Sequence, residues 1–274
     1  MYWIQERYRI RTRKLAGEAA PWTDDPVFQT TYFCNVHRED DKITRFIRDF
    51  YSPHVGDPLF EYNIVFSRFI NWPDTIRLVG YMPYHEPRQL ADVLHYISGQ
   101  GSKVWGNAYV ITTHGQKMDK VTYLTEQVLK DVKMLNLENL VAGPVYTPTC
   151  SSYSRVLQNV DGIGSFLAAQ VVADLKNTPG HVLYSAQDKT TFVEPGPGSL
   201  RGLKWFFNDD IGPSNISTHF HMHFKIVRDY VDANWPADVP PVDNQDLQNC
   251  LCEFDKYCRV ATGTGRSKRK YNGR

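Results

Sequence analysis

The sequence predicts a mainly helical protein. Apolar residues recur at spacings of three and four in several separate stretches, and Pro- and Gly-rich segments between them leave little room for a sheet. Residues 38–50 place Ile43, Phe46, Ile47 and Phe50 on one face. Residues 119–135 do the same with Val121, Leu124, Val128, Val132 and Leu135. A third helix over 165–176 carries a narrow apolar face of Phe166, Ala169, Val172 and Ala173, and a fourth runs through about 244–259. The segments 52–58, 71–87, 193–202 and 235–243 read as loops. Asp25-Pro26 reads as the end of a turn with Trp22 buried beside it. Tyr109–Thr113 has strand character, but Gly106 and Gly115 bracket it too tightly for a large sheet.

A chain of 274 residues and 31.6 kDa suits one large domain or two small ones. Against 30 acidic residues there are 31 basic ones, a net charge of +1. That excludes a bulk polybasic protein and leaves room for a local basic patch. A hydrophobic share of 42% with 13% aromatics supports a sizeable core and argues against disorder. No apolar run approaches the roughly 18 residues of a membrane helix, and the charged N-terminus has no apolar stretch behind it, so neither a membrane span nor a secretory signal is expected. Five cysteines are an odd, sparse set and point to a reduced, cytoplasmic protein. The expected organisation is one helical domain over 1–262, with two lobes and a pocket between them as one form of it. A basic tail, 263–274 (GTGRSKRKYNGR), follows, read as a disordered end or as a phosphate contact.

The most informative segment is 151–176, SSYSRVLQNVDGIGSFLAAQVVADLK. It reads as a helix, a tight turn at Val160-Asp161-Gly162-Ile163-Gly164, and a second helix. Gly162 and Gly164 permit positive φ and close backbone approach. Ser165 falls where an N-cap belongs, ahead of free N–H groups at the positive end of a helix. That arrangement suits a DNA backbone phosphate. Ile163 points back to hold the helices together, and the small residues Ala168 and Ala169 follow. Together with the trailing Asp174, these residues resemble the helix-hairpin-helix motif, with Gly162, Ile163, Gly164 and Ser165 as the DNA-binding set. Such binding is to phosphate and carries little sequence information. The alternative is an ordinary Gly-rich turn between helices.

Further stretches extend the resemblance. PWTDDPVFQTTYFCNVHREDDKITRF (21–46), GSKVWGNAYVI (101–111), FVEPGPGSLRGL (192–203) and DLQNCLCEFDKYCRVATGTGRSKRKY (246–271) span most of the chain. They are similar to a bacteriophage thymine-hypermodification branch of the helix-hairpin-helix DNA glycosylase superfold. This family covers the helical domain associated with 5-hydroxymethyluracil DNA kinases and the α-glutamyl/putrescinyl thymine pyrophosphorylases, or amino acid:DNA transferases. The resemblance implies a helical DNA glycosylase-like fold that flips a base. It implies double-stranded DNA containing modified thymine as substrate, and a free amino acid or polyamine as co-substrate. An upstream hydroxymethyluracil DNA kinase is implied as pathway partner. No cofactor, metal or membrane partner is expected, and the expected location is the cytoplasm, that of the infected host cell if the protein is phage-encoded. In the implied reaction a pyrophosphorylated 5-hydroxymethyluracil exchanges pyrophosphate for an amine. The kinase step itself needs a G-x-x-x-x-G-K-[ST] loop; no GK[ST] occurs here, and the Gly-rich stretches at 196–202 and 263–265 have the wrong spacing. The alternatives are a DNA glycosylase acting on a modified pyrimidine, and a non-catalytic DNA-binding module that partners a kinase.

On helix 244–259, Leu247, Cys250, Leu251, Phe254 and Cys258 form the apolar face. Asp246, Asn249, Glu253 and Lys256 lie within an arc of about 80° beside it, and Gln248, Asp255 and Arg259 make a second polar stripe. The first stripe reads as a general base with anion contacts or as a solvated face. The family signature sits on this helix, which makes Glu253 the first choice as base, with Asp246 and Asp188 as further catalytic candidates. Asp188 follows the hairpin where such glycosylases carry a catalytic aspartate, but no Gly-Pro-Asp accompanies it. Asn35, Arg38, Asp40 and Asp41 cluster near the N-terminus, with Arg45 a turn later. Asn35, Arg38 and Asp41 read as substrate-binding residues, Arg38 gripping pyrophosphate or a carboxylate through its fork, or else as a capping cluster. Asn249 and Lys256 join them. In FVEPGPGSLRGL, Ser199 and Arg201 are placed near the base pocket by the family analogy; a surface turn is the other reading. His219, His221 and His223 share a face only on a strand, and a metal would need a further ligand. Cys250 and Cys258 belong on the apolar face, and Cys252 is expected to be the exposed cysteine.

Overall fold

The structure is a computed structural model, and it describes residues 1–108, 111–135, 147–207 and 216–265. The helices in chain order are α1 (Tyr2–Leu15), α2 (Pro26–Thr30), α3 (Lys42–Tyr51), α4 (Phe60–Ile70), α5 (Pro73–Val79), α6 (Pro87–Gly99), α7 (Lys120–Tyr123), α8 (Leu129–Met134), α9 (Cys150–Leu157), α10 (Ser165–Lys176), α11 (Pro197–Lys204), α12 (Ile216–Ala233) and α13 (Asn244–Ala261). No strand occurs among the described residues. Tyr109 and the tail from residue 266 lie outside them, and residues 111–113 are irregular. The chain folds as two compact units. An inserted unit runs from Lys42 to Phe192, and a terminal unit combines Met1–Asp41 with the chain from Val193 onward.

The inserted unit is built around α4 and α10. In α4 every residue but Glu61 is buried. Apolar residues of its sequence, FEYNIVFSRFI, fall on every side of the helix, so no helical period shows. α10 is also buried nearly all round, from Leu167 to Lys176 with only Gln170 half-buried. The narrow face expected for it is therefore replaced by general burial, and Phe166 points outward at the surface. Arg68 of α4 and Asp174 of α10 form a two-pronged ion pair in this core, with the Arg68 Nη2 also donating to the Thr44 hydroxyl at 3.1 Å. Such a pair satisfies its own charges, but losing either member would leave the other stranded in an apolar interior. Between α7 and α8 the helix continues through one π turn, Leu124–Val128, which rotates the face that follows.

In the terminal unit α11 crosses α13 at very close range. The glycines at 198 and 202 fall on one face of α11, and a Cβ on either would run into Cys252 Sγ or the Leu251 carbonyl of α13. Trp3, Ile4, Phe28 and Phe33 from the N-terminal segment meet Phe220, Phe224, Leu247 and Leu251 in one core. Asp25 caps α2, accepting from the N–H groups of Val27 and Phe28, and its other oxygen accepts from the phenols of Tyr2 and Tyr257.

Three expectations are corrected. The stretches 71–87 and 193–202 are not loops throughout: Pro73 and Pro197 sit in the first turn of α5 and α11, where a missing N–H costs nothing. The helix expected from residue 38 begins as a short 3₁₀ turn, Arg38–Asp40, and regular helix starts at Lys42. Trp22 is half-buried, with Lys14 Nζ 5.1 Å from its ring centre.

Candidate functional site

The hairpin of the inserted unit joins α9 to α10 through residues 158–164. Thr149 and Ser152 form a capping box that starts α9. Gly162 adopts φ +93°. A side chain there would be strained by the left-handed backbone and would also overlap the Tyr123 hydroxyl, with the Tyr123 Cζ at 3.2 Å. That hydroxyl is buried and unpaired among the described residues. Gly164 is different: φ −80° and ψ 175° suit any residue, and nothing lies within 4 Å of where its Cβ would stand. It is also the N-cap of α10, so Ser165 is the first helical residue rather than the cap expected from the sequence. A glycine cap has no side chain to satisfy the first N–H groups of α10. Its outward side is open, and the helix end carries a partial positive charge. Ile163 is buried in the unit's core, as expected.

Asp188 closes the same region from behind. Its carboxylate accepts from the N–H of Cys150 at 2.8 Å, the N–H of Ser151 at 2.9 Å and the Ser151 hydroxyl at 2.7 Å. Burial pushes its pKa up, but these hydrogen bonds outweigh burial and hold the carboxyl below its ordinary value. It is thus an ionised cap on the first helix of the hairpin.

In the terminal unit the expected polar stripe of α13 is neither solvated nor open. It lies along the extended backbone of residues 32–38. Asp246 Oδ1 accepts from the Arg38 N–H at 2.7 Å, Asn249 Nδ2 donates to the Asn35 carbonyl at 3.3 Å, Glu253 Oε2 accepts from the Cys34 N–H at 2.9 Å, and Lys256 Nζ donates to the Tyr32 carbonyl at 3.2 Å. Acceptor, donor, acceptor and donor alternate along one helix face to match the polarity of a neighbouring main chain. Lys256 also reaches Glu253 Oε2 at 2.6 Å. Glu253 is 5% exposed, and its other oxygen makes no hydrogen bond among the described residues. Asp246 also belongs to the capping box of α13 with Asp243. Burial, then the charge of Asp243, pushes its pKa up to about 6, and the Arg38 N–H pulls the other way. Asn35 accepts from Arg7 at 2.8 Å and donates to the Asp40 carbonyl at 3.1 Å. The Arg38 side chain is half-buried and Asp41 is exposed.

In the FVEPGPGSLRGL segment residues 192–196 are irregular, and the rest, from Pro197, is helix α11 rather than a turn. Ser199 is fully buried; its hydroxyl bonds Gly196 on both its N–H and carbonyl and accepts from Gln248 Nε2 at 3.2 Å. Arg201 leads to a group the sequence did not assign. Asp255 is buried on α13, and its Oδ2 accepts from Arg201 Nε and from Arg259 Nε, both at 3.0 Å, while Oδ1 accepts from the Trp205 indole N–H at 3.3 Å. The Asp255–Arg259 spacing of four was legible as a helical ion pair. The convergence of Arg201 and Trp205 on it was not, because it needs the α11–α13 crossing.

His219, His221 and His223 lie on α12, so only the first and third share a face, with ring centres 6.1 Å apart. His223 is buried and stacks on Phe207. Among the described residues no group of His, Cys, Asp or Glu could hold a metal ion. Cys34 is the exposed cysteine; Cys252 is half-buried because its sulfur faces Gly198 across the close helix crossing. No described helix is long and apolar enough to cross a membrane.

Residues 1–267 match the family described as "5-hmdU DNA kinase, helical domain". The chain is 25% identical over 293 aligned residues to a "5-hmdU DNA kinase" of Bacillus phage SP10, covering 94% of this chain and 44% of that protein. It therefore spans less than half the length of the curated relative it matches. No solved structure matches it.

Proposed function

Since the chain belongs to the family of the 5-hmdU DNA kinase helical domain, we propose that it acts on DNA carrying 5-hydroxymethyluracil, as an amino acid (or polyamine):DNA transferase on a glycosylase-like helical fold. The family match over nearly the whole chain supports a role on 5-hydroxymethyluracil DNA, and the choice of transfer over phosphoryl transfer rests on the lack of a GK[ST] loop in this sequence. The N-terminus of α10, capped by a glycine without a side chain, supplies a contact for a DNA phosphate. The modified base leaves the stack to reach the protein. The amine nitrogen then bonds to the methylene carbon as the carbon–oxygen bond breaks, the bonding pair departs with pyrophosphate, and the amine's proton passes to a base. Glu253 fits that task by its unengaged oxygen, and Arg38, at the other end of the segment that Glu253 helps to hold, fits an anionic group of the substrates.

One observation favours a second reading: the chain corresponds to under half of a relative named for kinase activity. In that reading it engages modified DNA on behalf of a separate kinase. Incubation with DNA bearing pyrophosphorylated 5-hydroxymethyluracil and a mixture of amino acids and polyamines, followed by mass spectrometry of the nucleosides, separates the readings. An amine adduct with release of pyrophosphate supports the transferase. Unchanged DNA that the protein nevertheless binds supports the module, and abasic sites would mean a glycosylase.

A further inference from the structure

We propose that Asp255, Arg201, Arg259 and Trp205 form a contact for an unpaired nucleic-acid strand, in which the two guanidinium groups hold neighbouring phosphates and the indole stacks on a base. The proposal stands apart from the transferase reading, because it follows from one side-chain cluster of the terminal unit. A single buried carboxylate fixes all three outward groups. Both arginines are tied through Nε, which leaves the Nη1/Nη2 end of each fork without a hydrogen bond among the described residues. That end is the edge that takes a phosphate with two parallel bonds. The side chains of Arg201 and Arg259 are 52% and 33% exposed, against 3% for Asp255. Two cations on one anion leave an excess positive charge on the surface, which a polyanion relieves.

The aromatic component selects the kind of polyanion. Trp205 is 43% exposed although its N–H is bound, so its ring is oriented and its surface remains available. The next residue, Phe206, stacks on Phe254 of α13 at 5.3 Å and 22°. Exposed aromatic rings beside backbone-gripping cations are the pairing that holds single strands without reading their sequence. A duplex keeps its bases stacked on one another and offers no face to Trp205.

The test is fluorescence anisotropy of the full chain on a labelled oligothymidylate and on a duplex of equal length, across a salt series. Trp205→Leu should weaken single-strand binding by about 10- to 100-fold, a typical loss for one stacked base, and leave duplex binding within two-fold. Arg201→Gln and Arg259→Gln should each flatten the dependence of log K on log salt by about 0.7, the share of one single-strand phosphate. Asp255→Asn is the sharpest arm. It adds a unit of positive charge, so a diffuse basic patch would bind the strand more tightly, whereas an organised clamp binds it more weakly. Arg201 is exposed, so Arg201→Gln keeps the test valid if Asp255→Asn fails to fold, as judged by thermal melting. The proposal is overturned if Trp205→Leu binds the single strand as the parent does. It is equally overturned if the two arginine variants leave the salt slope unchanged. Displacement of the strand by inorganic pyrophosphate with equal potency from parent and Trp205→Leu would identify a bare anion site and also overturn it.

Discussion

The two hairpin glycines look alike in the sequence and should behave oppositely when substituted. At Gly162 an alanine must adopt φ +93°, which costs about 1–2 kcal/mol. Its Cβ must also displace the Tyr123 hydroxyl and crowd Cζ and Cε1 at 3.2 and 3.3 Å; overpacking of this kind costs about 1–3 kcal/mol more. Gly162→Ala should therefore lose about 2–5 kcal/mol of stability. Gly164→Ala meets no atom within 4 Å and needs no unusual φ, so its stability should stay within about 0.5 kcal/mol of the parent. The steric share can be isolated with Tyr123→Phe, which removes a buried hydroxyl that has no partner among the described residues and should itself be neutral or stabilising by up to about 1 kcal/mol. In that background Gly162→Ala should become less costly by at least about 1 kcal/mol, a coupling that a double-mutant cycle reads directly. Urea denaturation gives the four stabilities. Salt-dependent DNA binding gives the second axis: Gly164→Ala, correctly folded, should bind DNA more weakly with a slope flatter by about one unit, because its methyl stands where a phosphate would approach. The reasoning fails if Gly162→Ala is as stable as Gly164→Ala, or if its cost is the same with and without the Tyr123 hydroxyl.

Glu253→Gln retains an acceptor for the Cys34 N–H but cannot take a proton. Single-turnover transfer should fall by roughly 10²–10⁴-fold and recover in part at high pH, with DNA affinity unchanged; turnover within a few-fold of the parent at two pH values would assign the base elsewhere. Asp246 has a folded pKa of about 6, above the ordinary value of a carboxyl, so the folded state holds its proton more tightly than the unfolded chain. Its contribution is fully present below about pH 4 and is lost as pH rises through 6. Asp246→Asn should accordingly gain on the parent by about 2 kcal/mol between pH 4 and pH 7 in chemical denaturation, and a flat difference would refute this. Arg68→Met strands Asp174 in the core and should cost about 3–5 kcal/mol; adding Asp174→Leu should recover most of that loss in thermal or urea unfolding.

Helices whose apolar positions alternate with polar ones were legible, as α13 and the turn before α10 illustrate. α4 was not, since a helix buried on every side has no period to detect. Pro73 and Pro197 read as breaks because proline ends a helix from within but suits its first turn, and residue type alone does not separate the two cases. The α13 stripe shows a deeper limit. Its charges suggested either chemistry or water, but their partners are main-chain groups of residues 32–38, and every amino acid supplies the same main-chain groups. Nothing in YFCNVHR marks it as the complement of Asp246, Asn249, Glu253 and Lys256. The Asp255 cluster was half visible, as one helical pair on α13, and only the glycine-mediated approach of α11 completes it.

The terminal unit is assembled from both ends of the chain, and this sets a timetable for its birth on the ribosome. Cys34 and its acceptor Glu253 are separated by 219 positions. At a synthesis rate of about 5–20 residues per second, that interval lasts roughly 11–44 s. During it the whole inserted unit, which is contiguous in sequence, is synthesised and can fold behind the waiting N-terminal segment. Trp3, Ile4, Phe28 and Phe33 begin to gain complementary helices only with α11 and α12, and their core is complete only when α13 emerges. The nascent chain thus carries an uncovered apolar surface through most of its translation, and a ribosome that stops short of α13 releases a protein with one finished unit and one sticky, unpaired end.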